Sequence, residues 1–323
     1  TGPVGKTGVK EAIFTALERS SRGAAHRSVR SYNNHVGVPL SLSRMAPRSR
    51  FGVFEMGMNH AGEISGLTSQ VRPHVAVITT IAPAHIENLG SIEAIAAAKA
   101  EIFEGLQDGG TAVIPADVEQ FEQLRDAAVA SGARVIAFGR RAHADLRLLD
   151  AVPDGSGGSL VTAAFGDTRL CFTVAEPGEH WIDNALCVMA AVHAAGGDLG
   201  AAGLALAEMG GLKGRGARLR AKVPGGHALV IDESYNANPA SMRATLAQYV
   251  QNLRTALTRH CHRDALWSAP TAQIQSRKAQ HPGNRSCSAP ARPSPRRGAN
   301  ASRSDHHTEP DCAHNGKERI FGR

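Results

Sequence analysis

The chain has 323 residues, 42% hydrophobic and 4% aromatic, which is room for one large or two ordinary domains around an aliphatic core. A formal net charge of +7 would suit a polyanionic partner if it were spread along the chain, but residues 251–323 hold 13 Lys+Arg and 5 Asp+Glu, net +8. The preceding 250 residues keep 23 basic and 24 acidic residues, net −1, and the basic tail lacks interleaved aromatics, so no nucleic-acid partner is expected.

The N-terminal stretch TGPVGKTGVKEAIFTAL reads as a phosphate-binding loop running into a helix. Gly2 and Gly5 free the backbone to wrap phosphate oxygens, Lys6 reaches the β/γ-phosphates and Thr7 offers a hydroxyl to magnesium. The helix N-terminus adds its own attraction for anions. The strand that normally feeds such a loop would precede Thr1, so an N-terminal segment is expected to be missing. The next polar patch, SYNNH, puts Asn33 and Asn34 in a turn or a substrate-binding loop.

Short apolar runs then alternate with amphipathic stretches, the pattern of βαβ units around a mostly parallel sheet. FGVFEMG, VAVITTI, TAVIPA and RVIAFG are predicted buried strands; GEISGLTSQV, SIEAIAAAKAEIFEGL and VEQFEQLRDAAVASG are predicted helices. Ligands gather at the carboxyl ends of parallel strands. Glu55 stands there after one strand and could hold Mg²⁺, or be a solvated loop acid. His85, past the next strand, is either a ligand or a structural imidazole.

Within SIEAIAAAKAEIFEGL the apolar stripe Ile92, Ile95, Ile102, Leu106 has Lys99 in its gap, so Lys99 faces the core. Desolvation would populate its neutral amine, the form that reacts with CO₂ to give a carbamate; the alternative is a lysine that snorkels to the surface.

LVTAAFGDTRLCFTV is a predicted hairpin turning at Gly-Asp. HWIDNALCVMAAVHAAG and LGAAGLALAEM return to helical periodicity, and HALVIDES is a strand leading to a helix at Pro239. In this region His180 and Asn184 share a helical face, Arg215 lies between glycines and Asp232 ends a strand; each is compatible with a cap, a turn or surface charge. Cys171 and Cys187 stand isolated, and the three tail cysteines lack metal-ligand spacing, so neither a disulfide framework nor a zinc site is indicated. Neither a bilayer-spanning apolar run nor a signal peptide is evident, and the expected compartment is the cytoplasm. Beyond residue 250 the sequence is rich in Arg, Ser, Pro and His without period. It reads as a disordered tail, and the break inside PASMRATLAQYV favours out-of-frame translation over a natural tail.

Taken in order, TGPVGKT, SYNNHVGVPL, FEMGMNHAGEI, TTIAPAHIENLGS, AAKAEIFEGL, HWIDNAL, KGRGAR and DESYNANPASM resemble the muramyl ligase family. The resemblance covers about residues 1–250. EMGMNHAGEI and SYNANPASM are most similar to the member that joins UDP-N-acetylmuramoyl-tripeptide to D-alanyl-D-alanine. It implies a central P-loop α/β domain over residues 1–225, the start of a Rossmann-like third domain over 226–250, a tail over 251–323, and an absent first domain. The activity implied is an ATP-dependent amide ligation through an acyl phosphate, by a monomer acting on small molecules without membrane insertion.

By the same resemblance, Thr7 and Glu55 would hold one Mg²⁺, and His85 with carbamylated Lys99 a second. Lys6 would neutralise the phosphates, Asn184, Arg215 and Asp232 would contact ATP, and Asn33 and Asn34 would belong to the substrate loop. Two alternatives stand beside this: another amide ligase such as folylpolyglutamate synthase, and a nucleotide-binding remnant without catalysis.

Overall fold

In a computed structural model of the chain, the described residues are 1–3, 5–83, 86–155, 157–211, 217–224, 226–232, 234, 246 and 250. His85, Arg215, the helix expected at Pro239 and the tail expected over 251–323 lie outside them.

The phosphate loop opens helix α1 (Lys6–Ser21), followed by β1 (Ala25–Arg27), α2 (Gly37–Ser43), β2 (Phe51–Val53), α3 (Glu63–Val71) and β3 (Val75–Val77). A short α4 (Ile86–Leu89) precedes α5 (Ile92–Ala100), then β4 (Thr111–Pro115), α6 (Phe121–Ala130), β5 (Arg134–Gly139) and β6 (Leu146–Pro153). The hairpin β7 (Ser159–Phe165) and β8 (Thr168–Val174) leads to α7 (Glu179–Ala194), α8 (Leu199–Ala207), and the pair β9 (Ala217–Val223) and β10 (Gly226–Asp232).

Six strands form one sheet in the order β3-β4-β5-β6-β7-β8, parallel from β3 to β6 and antiparallel from β6 to β8. β1 and β2 make a separate parallel pair, and β9 and β10 an antiparallel one. Every residue of β4 is buried, because helices cover both faces of the parallel region. The period-2 alternation sorts its side chains: Val113 packs with α1, α7 and α8, whereas Ala112 and Ile114 pack with α3, α5 and α6. The result is a sheet between two helical layers, each with its own apolar cluster.

Three sequence readings needed tertiary correction. The predicted helix SIEAIAAAKAEIFEGL is α-helical only to Ala100, and Glu101–Gly105 tightens to 3₁₀. Its acids are drawn to the start of α3: Glu101 accepts from the backbone N–H of Gly62 and Ser65, and Glu104 from the Ser65 hydroxyl. The predicted buried strand FGVFEMG is only half-buried over Phe51–Val53, because one edge of β2 borders a cleft. β6 escaped prediction because its LRLLDAVP does not alternate; a bulge between Leu148 and Asp150 interrupts its pairing with β7.

Candidate active site

The loop before α1 is folded tightly against its surroundings. Gly5 adopts φ 81°, and a Cβ there would lie 2.5 Å from Asn184 Oδ1. A Cβ on Gly2 would come within 2.0 Å of Thr79 Oγ1 at the end of β3. Only glycine permits both approaches, so the loop's shape is set by its two neighbours, β3 and α7. Lys6 folds back so that its ammonium donates to the Gly2 carbonyl at 2.5 Å, holding the charge over the loop.

The first turn of α1 then points Thr7 at the end of β2. Its hydroxyl donates to Glu55 Oε2 at 2.9 Å and lies 3.2 Å from the Ser31 hydroxyl. Glu55 is buried, and its other carboxylate oxygen accepts from the Asn33 side-chain amide at 2.8 Å. A threonine hydroxyl and a buried carboxylate converging beside a phosphate loop are hard oxygen donors of the kind Mg²⁺ takes with phosphates, so these residues fit that ion. Among the described residues no group of three or more His, Cys, Asp or Glu could hold a metal.

Lys99 joins this cluster from α5. It is 4% exposed, and burial, with the Lys6 ammonium nearby, pulls its pKa down to about 7. An amine with that pKa is in good part neutral near pH 7, the form that reacts with CO₂, and its burial puts Lys99 in the core, on the side of the apolar stripe, and not at the surface. Asn184, on the second turn of α7, is buried under Gly5.

Asn34 is used differently. Its side-chain oxygen accepts from the backbone N–H of Val36 and Gly37 and so organises the entry to α2. Asp232 ends β10, its carboxylate accepting from the Ser234 backbone N–H and hydroxyl at 3.1 and 2.6 Å. The structure therefore brings together Gly2, Gly5, Lys6, Thr7, Asn33, Glu55, Lys99 and Asn184.

Sequence reading missed several supports. Lys10, almost fully buried, donates to the Ser28 carbonyl at 2.9 Å and to that of Arg30, tying α1 to the segment that carries Ser31. Its place one turn after Lys6 was the available signal. Trp181 lies where Gly8 leaves room, since a Cβ there would come 2.4 Å from the indole. Arg140, after β5, grips Glu179 and Asp183 at 2.7 and 3.1 Å and fixes the start of the helix that carries Asn184. Burial pushes the Asp183 carboxyl up against the pull of Arg140, and burial holds the His180 imidazole below its usual range.

Residues 1–192 match the Mur ligase middle domain family. The chain is 34% identical over 247 residues to UDP-N-acetylmuramoyl-tripeptide--D-alanyl-D-alanine ligase of Escherichia coli (strain K12), covering 76% of this chain and 53% of that protein. The same identity holds with the like-named ligase of Bacillus subtilis (strain 168), over 76% of this chain and 51% of the relative. A crystal structure of MurF from Acinetobacter baumannii superposes with a TM-score of 0.70 at 30% identity, covering 77% of this chain and 53% of the other. The chain thus spans about half the length of these relatives.

Proposed function

Because this chain belongs to the Mur ligase family, whose middle domain its residues 1–192 match, we propose that it is the ATP-binding part of a ligase joining UDP-N-acetylmuramoyl-tripeptide to D-alanyl-D-alanine. One observation carries the reading: a phosphate loop whose Thr7 hydroxyl meets the buried Glu55 carboxylate at 2.9 Å, with the amines of Lys6 and Lys99 close by. Residues 1–225 would be the central ligase domain, 226–250 the start of a further domain, and 251–323 a disordered basic tail.

In the proposed reaction the tripeptide's terminal carboxylate attacks the γ-phosphorus of ATP, giving an acyl phosphate and ADP. The amine of D-alanyl-D-alanine then adds to the acyl carbon, and phosphate leaves from the tetrahedral intermediate. Two anions must approach each other in the first step, and the cationic Lys6 would offset their repulsion. Thr7 and Glu55 would hold one Mg²⁺, and His85 with carbamylated Lys99 a second. Bound magnesium would supply further charge neutralisation at the phosphates. Asn33 would fix the Glu55 carboxylate from the loop that, with Asn34, faces the peptide substrate. Asn184, Arg215 and Asp232 would contact the nucleotide. With small-molecule substrates and a near-neutral body, the protein would act as a cytoplasmic monomer; among the described residues no helix is long and apolar enough to cross a membrane.

The test begins with this chain. Calorimetric titration should give saturable binding of ATP with Mg²⁺, lost in Lys6→Ala; wild-type binding by that variant would sink the assignment. In the longer protein, phosphate release should require both the UDP-muramoyl tripeptide and D-alanyl-D-alanine. Release stimulated instead by a folate and glutamate would replace this reading with the folylpolyglutamate synthase alternative.

A further inference from the structure

Thr7 and Lys10 stand three residues apart and so are neighbours on one face of α1. Thr7 turns its hydroxyl to Glu55, and one turn later Lys10 is only 3% exposed. An apolar side chain would fill that space without the cost of desolvating a charge, so packing does not account for an ammonium there. The three N–H bonds of the ammonium match three acceptors: the Ser28 carbonyl at 2.9 Å, the Arg30 carbonyl, and the Glu11 carboxylate at 3.0 Å. Glu11 in turn pairs with Arg27 at 2.9 Å. The helix that carries Thr7 is thus fastened to residues 27, 28 and 30, where the chain leaves β1.

The backbone that Lys10 grips leads to the Glu55 carboxylate. Ser28 is fully buried and uses each of its polar groups. Its N–H donates to the Val53 carbonyl at 3.0 Å, its hydroxyl accepts from the Glu55 N–H at 3.2 Å, and its carbonyl accepts from Lys10. It therefore clamps the chain on both sides of Phe54, where β2 runs out into Glu55. Arg30 then adopts φ 54°, the left-handed region that a residue with a side chain enters at a cost, so its surroundings must hold it there. The bond from Lys10 to its carbonyl does so, and the turn brings the Ser31 hydroxyl to 3.2 Å from that of Thr7. Further along, the Asn33 amide donates to Glu55 at 2.8 Å and its carbonyl accepts from the Gly57 N–H at 2.7 Å. Both the backbone of Glu55 and the loop that meets its carboxylate are tied to Lys10.

We propose that Lys10 is a positioning residue for the magnesium end of the nucleotide site, holding the Glu55 carboxylate in register with the Thr7 hydroxyl through Ser28 and Arg30. The inference rests on the reading of this chain as the ATP-binding part of a ligase. Two oxygens that serve one cation come here from distant parts of the chain, and a single helix presets both, Thr7 directly and Glu55 by way of Lys10. The cost of bringing them together is then met in folding and not on binding. The phosphate loop is shaped by other neighbours, Gly2 by Thr79 and Gly5 by Asn184. The influence of Lys10 therefore falls on the metal-dependent part of ATP binding and spares the metal-free part. Supports of this kind, which touch a ligand's partner and not the metal, carry about 10–100-fold in metal affinity.

The test uses the 323-residue chain and three variants. Lys10→Met removes the ammonium; Ser28→Ala cuts the same path at the hydroxyl that Glu55 uses; Leu17→Ala, at a buried position two turns along α1, lowers stability outside the network. Amide hydrogen exchange without nucleotide is read at Glu55 and compared with Val9, whose N–H donates to the Gly5 carbonyl. Lys10→Met and Ser28→Ala should speed exchange at Glu55 relative to Val9 by about tenfold or more, and Leu17→Ala should not. ATP is then titrated by calorimetry in EDTA and at rising Mg²⁺. The Mg²⁺ needed for half of the gain in affinity should rise about tenfold or more in Lys10→Met and in the same direction in Ser28→Ala, with affinity in EDTA within about twofold of wild type. Should Lys10→Met fail to fold, Ser28→Ala decides alone. Unchanged relative exchange at Glu55, a wild-type Mg²⁺ dependence in these variants, or an equal shift in Leu17→Ala overturns the proposal. A wild-type chain that binds no ATP is a different result: it sinks the ligase reading, and the role of Lys10 at magnesium with it.

Discussion

Replacing Lys99 by methionine removes a titratable amine from the core while keeping a long apolar stem, and its signature is the pH dependence of stability. In the folded chain Lys99 titrates near 7, against an ordinary value of 10.5. Between those values the unfolded chain binds more protons than the folded one. Stability therefore rises with pH across this window, by about 1.4 kcal/mol per pH unit at full effect. Two other groups must be kept apart. The Thr1 amine, lowered from 8.0 to about 5, acts with the same sign, at half strength by pH 8 and fading by about pH 9. The Cys187 thiol, raised from 9.0 to about 12 by burial, acts with the opposite sign from about pH 8 upward, so between pH 8 and 9 it largely offsets what remains of the Thr1 contribution. Between pH 8 and 9 Lys99 is the main contributor of the three.

Urea unfolding in CO₂-free buffer should accordingly show the wild type gaining about 1.4 kcal/mol from pH 8 to 9, and Lys99→Met staying flat, with equal m values. An identical rise in the variant, or a flat wild type, would show that the amine reaches water and would refute the buried-amine argument. Bicarbonate added to the wild type should then change its profile through carbamate formation, and short carboxylates should partly restore turnover to Lys99→Ala in the longer protein.

Gly5→Ala forces a side chain into φ 81° and against Asn184 at 2.5 Å; it should cost about 1–3 kcal/mol in thermal unfolding and abolish ATP binding by calorimetry. Glu55→Gln keeps the shape of the side chain but removes the charge, so the Mg²⁺-dependent part of ATP affinity should fall about tenfold or more while the melting temperature moves little. Leu186→Ala, at a fully buried position of α7, should lose about 2–5 kcal/mol by denaturant titration. Arg140→Ala should cost about 1 kcal/mol, since its pair with Glu179 is exposed and contributes little while its pair with the half-buried Asp183 contributes more.

Much of the site was legible along the chain because its parts obey local rules. The glycines, Lys6 and Thr7 follow from what a phosphate loop demands of its backbone, and the hairpin at Gly166-Asp167 from its turn chemistry. Lys99 could be placed in the core because the helical period leaves a gap for it among isoleucines. Other features have no local signature. That Asn34 organises α2 while Asn33 serves Glu55 depends on which way a short loop turns. Arg140 and Trp181 act on the site through α7, far away in sequence, and neither belongs to a spacing pattern.

The deepest division concerns the strands. Sequence by itself determined that parallel strands alternate with helices and that acids and amines gather at the strands' carboxyl ends, because periodicity and chain direction are local properties. Only the tertiary structure decided which strands pair, β2 with β1 and β3 with β4, so that these consecutive strands of the chain stand in different sheets. Strand neighbours are chosen by which backbone edges can satisfy one another across the sheet, and no window of sequence contains both edges.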